Sequence, residues 1–196
     1  MSVYTRVYDN YSQAQHAVRD IESIGIPSSE ISLVANKHVS SQYDNVDPTS
    51  AAGMGAGVGA AVGGGAGFLT GLAGVGLLAI PGLGPVVAAG WLAATAVGAI
   101  VGGATGGIIG ALVSSGVPEN DAHVYSEAVR RGGTLLTVRT SSADPRIEPL
   151  LNKYQPVDAA SRRSEYEKAG WKTFDPLAPP YRPSKTEIDR MRRTYD

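Results

Sequence analysis

Cysteine is absent from this 196-residue chain, which excludes a disulfide framework, thiolate metal sites and a cysteine nucleophile, and leaves the redox compartment open. Net charge is nearly absent as well. Seventeen Lys and Arg stand against 18 Asp and Glu, so no global field draws the chain toward nucleic acid or anionic lipid. The start, MSVYTRVYDNYS, has no apolar core behind a basic segment, so no secretory signal is expected and the N-terminus is expected to stay cytoplasmic. The most consequential absence is local: from Pro48 through Pro118 there is no Asp, Glu, Lys, Arg or His. That stretch holds 21 of the 25 glycines, so the mean hydropathy of −0.05 averages two unlike regions.

The flanking sequence reads as one small α+β domain in two halves, residues 1–47 and 119–158, split by the uncharged stretch 48–118 and followed by a C-terminal docking tail, 159–196. Val3 to Tyr8 alternates with period two, the pattern of a strand. Asn10 or Asp9 can cap a helix whose apolar positions, Tyr11, Ala14, Val18, Ile21 and Ile24, recur at helical spacing until Gly25 and Pro27. Ile31 to Asn36 is a short β-branched run and a second strand, and Ser40 to Asp47 is a polar linker. Glu119 to Arg131 has acids in its first turn, arginines in its last and two glycines after it, and Thr134 to Thr140 is the next strand. Ile147, Leu150, Leu151 and Tyr154 mark a last short helix, to which Pro149 is a mild objection. The order β-α-β, insertion, α-β predicts a ferredoxin-like, helix-backed sheet with one strand of the usual set missing or replaced by the insertion.

Within the uncharged stretch, Gly55, Gly59, Gly63, Gly67 and Gly71 fall at every fourth position, and Gly98, Gly102, Gly106 and Gly110 repeat the pattern. On a helix that spacing stacks the glycines into a groove without side chains, where another helix approaches closely. Each interior glycine costs roughly 1 kcal/mol relative to alanine, so such helices need a packed partner. Pro81, Gly82, Gly84 and Pro85 interrupt the run and predict a turn between two helical arms. Arms of about 28 residues would exceed the ~20 needed to cross a bilayer core. Trp91 reads as an interfacial anchor. A soluble assembly in which the hairpins bury one another satisfies the same pattern.

Motifs that imitate catalysis are weak. Gly57 to Gly63 and Gly74 to Ala79 match variants of a dinucleotide loop, but no acid follows until Glu119, and no lysine follows any glycine run. His16, His38 and His123 are isolated, so no metal site is expected. Asp20, Glu22, Glu119, Asp121 and Glu127 are expected on solvated helix faces or first turns. Tyr4, Tyr8 and Tyr11 lack the basic stripe that nucleic-acid binding requires, and packing is their expected role. Trp171, Phe174 and Tyr181 stand out in a polar, proline-punctuated tail and are expected to dock on the chain itself, on a neighbour or on an outside partner. Glu187 to Thr194 can form a short basic helix.

Taken together, Gly25-Ile26-Pro27 after the first helix, the ISLVAN strand, AIPGLGPVVAAG at the turn, Gly116-Val117-Pro118-Glu119, Gly132-Gly133 before TLLTVRT, and the Trp171 to Pro176 segment resemble the bacterial general stress protein domain of heat-induced and low-temperature-induced proteins. The resemblance implies a stress-related, membrane-associated setting and supplies no catalytic residues. The extension after Tyr181 departs from it. The sequence therefore leads to a non-enzymatic stress-response protein, with no cofactor and no nucleic-acid partner. Its expected partners are further copies of itself and a lipid bilayer, at the cytoplasmic membrane with the α/β domain in the cytoplasm. A cytoplasmic self-assembling structural protein and a small-ligand sensor are the alternatives.

Overall fold

The computed structural model describes residues 1–36, 76–80, 83–92, 107–178 and 181. Among them the order is β1 (Ser2–Tyr8), α1 (Tyr11–Ser23), β2 (Ile31–Asn36), β3 (Gly76–Ile80), β4 (Gly84–Ala89), α2 (Gly107–Ser114), α3 (Glu119–Arg130), β5 (Thr134–Thr140), α4 (Ile147–Asn152) and α5 (Ala159–Lys168).

Local chemistry accounts for the helix ends. The Asn10 side chain accepts a hydrogen bond from the Gln13 amide at 2.8 Å, capping α1. Ala14, Ala17, Val18 and Ile21 line its buried face at the spacing of one helical stripe. Gly25 ends it in the left-handed region at φ +94°, its amide donating to the Glu22 carbonyl. Helix α3 opens with Glu119 and Asp121 and closes with Arg130, each at the end where the helix dipole favours it. Gly132, at φ +112°, donates to Val129 and Gly133 donates to Ala128, the paired bonds of a Schellman stop. In α4, Pro149 is the third helical residue, within the first turn whose amides have no intrahelical acceptor, so it is tolerated.

The sheet is antiparallel throughout, in the order β1-β5-β2-β4-β3. One side of it is the three-stranded set β1-β5-β2, with β5 between the two strands of the first half. Register assigns the faces. Val7 pairs with Leu135 and Leu135 with Val34, and all three lie in one core together with residues of α2, α3 and the segment from Val157 to Phe174. Tyr8, Leu136, Val138, Leu33 and Ile31 belong to the other, with α1 and α4. At ~1.5–3 kcal/mol for each large apolar side chain removed from water, the two cores are the main stabilising term.

Several expectations need correction. A ferredoxin-like arrangement carries its helices on one face; here they cover both, giving three layers. The strand thought missing is supplied twice by the insertion. Gly76 to Leu78 and Val86 to Ala89 were expected in the helical arms on either side of a turn, and they are instead parts of two paired strands, Leu78 opposite Val86 and Gly76 opposite Ala88. Of the residues expected to make the turn, Gly84 and Pro85 begin β4 instead, and Pro81 and Gly82 lie outside the described residues. Short apolar runs bounded by proline and glycine fit strands of five or six residues as well as helix ends, and here pairing with β2 decides. Finally, α5 lies in what reads as tail: Asp158 caps it by accepting from the Ser161 amide at 2.8 Å.

Two glycines in the left-handed region separate backbone strain from crowding. Gly90 has φ +90°, and a Cβ there would overlap the Ile31 carbonyl and lie 2.8 Å from Ser32 Cα; Gly25 has φ +94° with no atom within 4 Å of a Cβ. Gly25→Ala is expected to cost about 1 kcal/mol. Gly90→Ala is expected to cost at least ~2 kcal/mol, because β2 must also move. Urea unfolding of both variants measures the difference, and equal costs would show that the approach of Gly90 to β2 is relieved without penalty.

Candidate functional site

Among the described residues, the uncharged stretch is seated on the domain at two places. The first is the β3–β4 hairpin. Asn36, at the end of β2 and 2% exposed, donates from its side-chain amide to the Leu83 carbonyl at 3.2 Å and to the Arg130 carbonyl at 3.1 Å. One buried amide thus joins β2, the hairpin loop and the C-terminus of α3. Leu83 and Val86 are buried in the core beside it. At the far end of β4, the Trp91 indole donates to the Glu30 carbonyl at 3.3 Å, while the Arg139 guanidinium lies 4.9 Å from the Trp91 ring and pairs with the Glu30 carboxylate. Trp91 is therefore fixed to the sheet, where a lipid-interface anchor was expected. Leu92 enters the core next to it.

The second seat is α2. Ile108, Ala111 and Leu112 are buried, and the helix packs on α3. Val113 is 40% exposed, and a Cβ at Gly110 would meet nothing within 4 Å. Among the described residues, then, no helix closes on Gly110. The other glycines of the expected seam, Gly55, Gly59, Gly63, Gly67, Gly71, Gly98, Gly102 and Gly106, lie outside the described residues, as do Pro81, Gly82, His38 and the 187–194 segment.

On the same face the C-terminal segment is tied down. Trp171 and Phe174 are buried in the core, Trp171 meeting the Tyr166 ring edge-on at 5.7 Å. Thr173 is hydrogen-bonded to His123 at 3.0 Å. The Arg131 guanidinium stands 4.3 Å from the Tyr166 ring and 5.2 Å from that of Tyr181, with Arg130 also over Tyr181. Both arginines bind Glu127, which is 1% exposed rather than solvated. Its spacing of three and four residues from two arginines was the available signal. The hydrogen bond to Glu127 raises the Arg130 pKa, and burial pushes the Tyr166 hydroxyl up to about 12.

Among the described residues no three His, Asp or Glu side chains converge as a metal site would require. His16 stacks on Tyr154 at 5.7 Å. Asp20 accepts from Lys153 at 2.9 Å and from the Tyr154 hydroxyl at 2.7 Å, clamping α4 to α1. Tyr8 is buried and donates to the Leu151 carbonyl at 2.8 Å, a packing role. Among the described residues no helix is long and apolar enough to cross a membrane.

Two outcomes are expected. Asn36→Ala leaves the buried Leu83 carbonyl and the half-buried Arg130 carbonyl without this donor and should cost about 2 kcal/mol, with the hairpin becoming the first site of proteolytic cleavage; cleavage elsewhere at wild-type rate would show that Asn36 does not hold it. The bonds from Lys153 and Tyr154 hold the Asp20 carboxyl below its ordinary value of 3.8. A lowered folded pKa contributes stability above the unfolded value that is lost as the pH falls through the folded one. Asp20→Asn should therefore flatten the acid side of the stability profile below about pH 4, measured by denaturation across pH. No protein-family model, no curated protein and no solved structure matches this chain.

Proposed function

We propose that the chain is a non-catalytic assembly protein, in which a helix-backed sheet presents an uncharged, glycine-rich stretch for association with the same stretch of further copies. The observation that carries this reading is the incorporation of residues 76–92 into the sheet and its core, which divides the stretch into two tethered segments, 37–75 and 93–106. Each starts and finishes on the domain. Crossing a bilayer and returning takes two helices of about 20 residues and a turn, more than 40 in all. The first segment has 39 residues, of which 37–47 include charged side chains, and the second has 14. A hairpin crossing the membrane does not fit these lengths, whereas side-by-side packing of copies does.

The glycines at four-residue spacing, Gly55 to Gly71 and Gly98 to Gly110, supply the close approach in this reading, and an uncharged surface of such length favours burial against another apolar surface over water. Membrane association is the second reading, favoured by the charge-free run itself; given the tether lengths it takes the form of adsorption at a bilayer surface. The resemblance to general stress proteins bears on the setting, a stress response, and not on any chemistry.

Fractionation in the absence of detergent tests the reading. The chain is expected in the supernatant as an assembly whose size grows with concentration. Recovery solely in a membrane fraction that resists alkaline carbonate would reject self-assembly in favour of the bilayer. A monomer at all concentrations, with no membrane fraction, would reject both.

A further inference from the structure

We infer that the core binds one water molecule between the side-chain hydroxyls of Thr5 and Thr137, a buried bridge that joins the first half of the domain to the second.

The register sets three hydroxyls in one row across the sheet. Thr5 on β1 stands opposite Thr137 on β5, and Thr137 stands opposite Ser32 on β2. Residues opposed in a ladder share a face, and these three lie two positions from Val7, Leu135 and Val34, so the row is on the face covered by α2, α3 and the C-terminal segment. Thr5 is 6% exposed, Ser32 1% and Thr137 0%. The hydroxyl oxygens of Thr5 and Thr137 are shut off from bulk solvent and have no hydrogen-bond partner among the described residues. Buried hydroxyls nearly always have one, because without it the hydration lost on burial is not replaced.

The backbone and the covering helix do not supply it. The Val7 carbonyl accepts from the Val157 amide at 2.7 Å and the Thr5 carbonyl from the Arg6 guanidinium at 2.9 Å, so both are turned away from β5. Opposed residues in an antiparallel ladder alternate between pairs that exchange two hydrogen bonds and pairs that exchange none. Thr5 and Thr137 therefore form a pair of the second kind, and Thr137 commits its backbone groups to Ser32. Helix α3 buries two polar side chains, Ser126 and Glu127. The first donates to the Ala122 carbonyl at 2.7 Å and the second is held by Arg130 and Arg131.

The same pairing defines the occupant. In a pair without backbone hydrogen bonds the Cα atoms stand about 4.5 Å apart and the side chains are at their closest, so one small molecule reaches both hydroxyls. It has to donate and to accept, as each hydroxyl does. It has to be uncharged, because the charged side chains of the next row, Arg139 and Glu30, are paired with each other. A closed site admits nothing large. Water meets all of these requirements, with the Ser32 hydroxyl completing the polar surroundings that an internal water needs. Thr5 and Thr137 lie on opposite sides of the uncharged stretch in sequence, so the site exists only once β5 has entered the sheet.

The test is oxygen-17 relaxation dispersion of water in solutions of the full chain, which counts waters held long enough to tumble with the protein; water oxygen does not exchange with threonine hydroxyls. Thr5→Val and Thr137→Val, which keep the side-chain shape, should each lose one such water, and Thr5→Ser should retain it. Each valine variant should also raise the unfolding equilibrium constant at least about threefold in urea. Where Thr137→Val does not fold, Thr5→Val carries the same comparison. Valine variants that are more stable than wild type would mean that the hydroxyls are buried unpaired, and would overturn the inference. Less stable variants with an unchanged water count would mean that the two hydroxyls bond each other directly, and would overturn it equally.

Discussion

Strand β5 occupies the space between β1 and β2, and the rest of the structure depends on that insertion. Its register with β1 runs from Ser2 opposite Thr140 to Tyr8 opposite Thr134, and with β2 from Ile31 opposite Val138 to Ala35 opposite Thr134. Without β5, the first two strands have no ladder between them, and Leu33 and Val34 lose the neighbours on either face that bury them. The chain must therefore bring residue 134 back to residue 36 whatever lies between. Loop-closure entropy grows only with the logarithm of loop length, each doubling adding about 0.6 kcal/mol, so a long glycine-rich insertion is tolerated at this point in a way that a lost strand would not be.

The insertion eases its own closure by contributing β3 and β4. With residues 76–92 attached to β2, one long loop becomes two shorter ones, and each attachment is made of ordinary parts: a buried amide at Asn36, an indole donor at Trp91, and four apolar side chains, Leu83, Val86, Leu92 and Ile108, in the core. Gly90 belongs to the same device, since only a residue without a Cβ lets the chain pass so close to Ile31 and Ser32. The C-terminal segment then covers the same face. Trp171 and Phe174 extend the core that β4 and α2 began, and the Glu127 pair fixes two arginines beneath Tyr166 and Tyr181. The carboxylate is buried because two guanidinium groups compensate its lost hydration; an isolated one would not be.

How much of this was legible follows from how local each signal is. Elements bounded by their own chemistry were read within a residue or so: α1 between Asn10 and Gly25, α3 between its first-turn acids and Gly132, and the strands Ile31–Asn36 and Thr134–Thr140. What depends on a distant partner was not. Whether helices cover one face or two is decided by where Val7 and Tyr8 send their side chains, and alternation along β1 looks the same in either case. The fate of Glu127 turned on Arg130 and Arg131 sharing it inside a core closed by Trp171, more than forty residues on. Helix α5 buries only Tyr166, so its apolar period is almost silent and Asp158 was its one clear mark.

The β-hairpin is the most informative miss. Glycine at every fourth position is a helical signal only if the intervening residues are helical too, and the period does not continue through the turn: after Gly71 the glycines fall at Gly74, Gly76, Gly82, Gly84 and Gly90, with no common spacing. Over the same span lie two runs of five and six residues, Gly76–Ile80 and Gly84–Ala89, the first containing Ile and the second Val, with Pro81 after the first and Pro85 inside the second. Five or six residues is a common strand length and barely more than one helical turn. Run length and broken period both favoured strands there, and the regular glycines on either side obscured them. The same reasoning separates the two parts of the uncharged stretch: where the glycine period lapses the chain supplies β3 and β4, and where the period holds, at Gly55 to Gly71 and Gly98 to Gly110, the sequence keeps the four-residue spacing on which the proposed contact between copies rests.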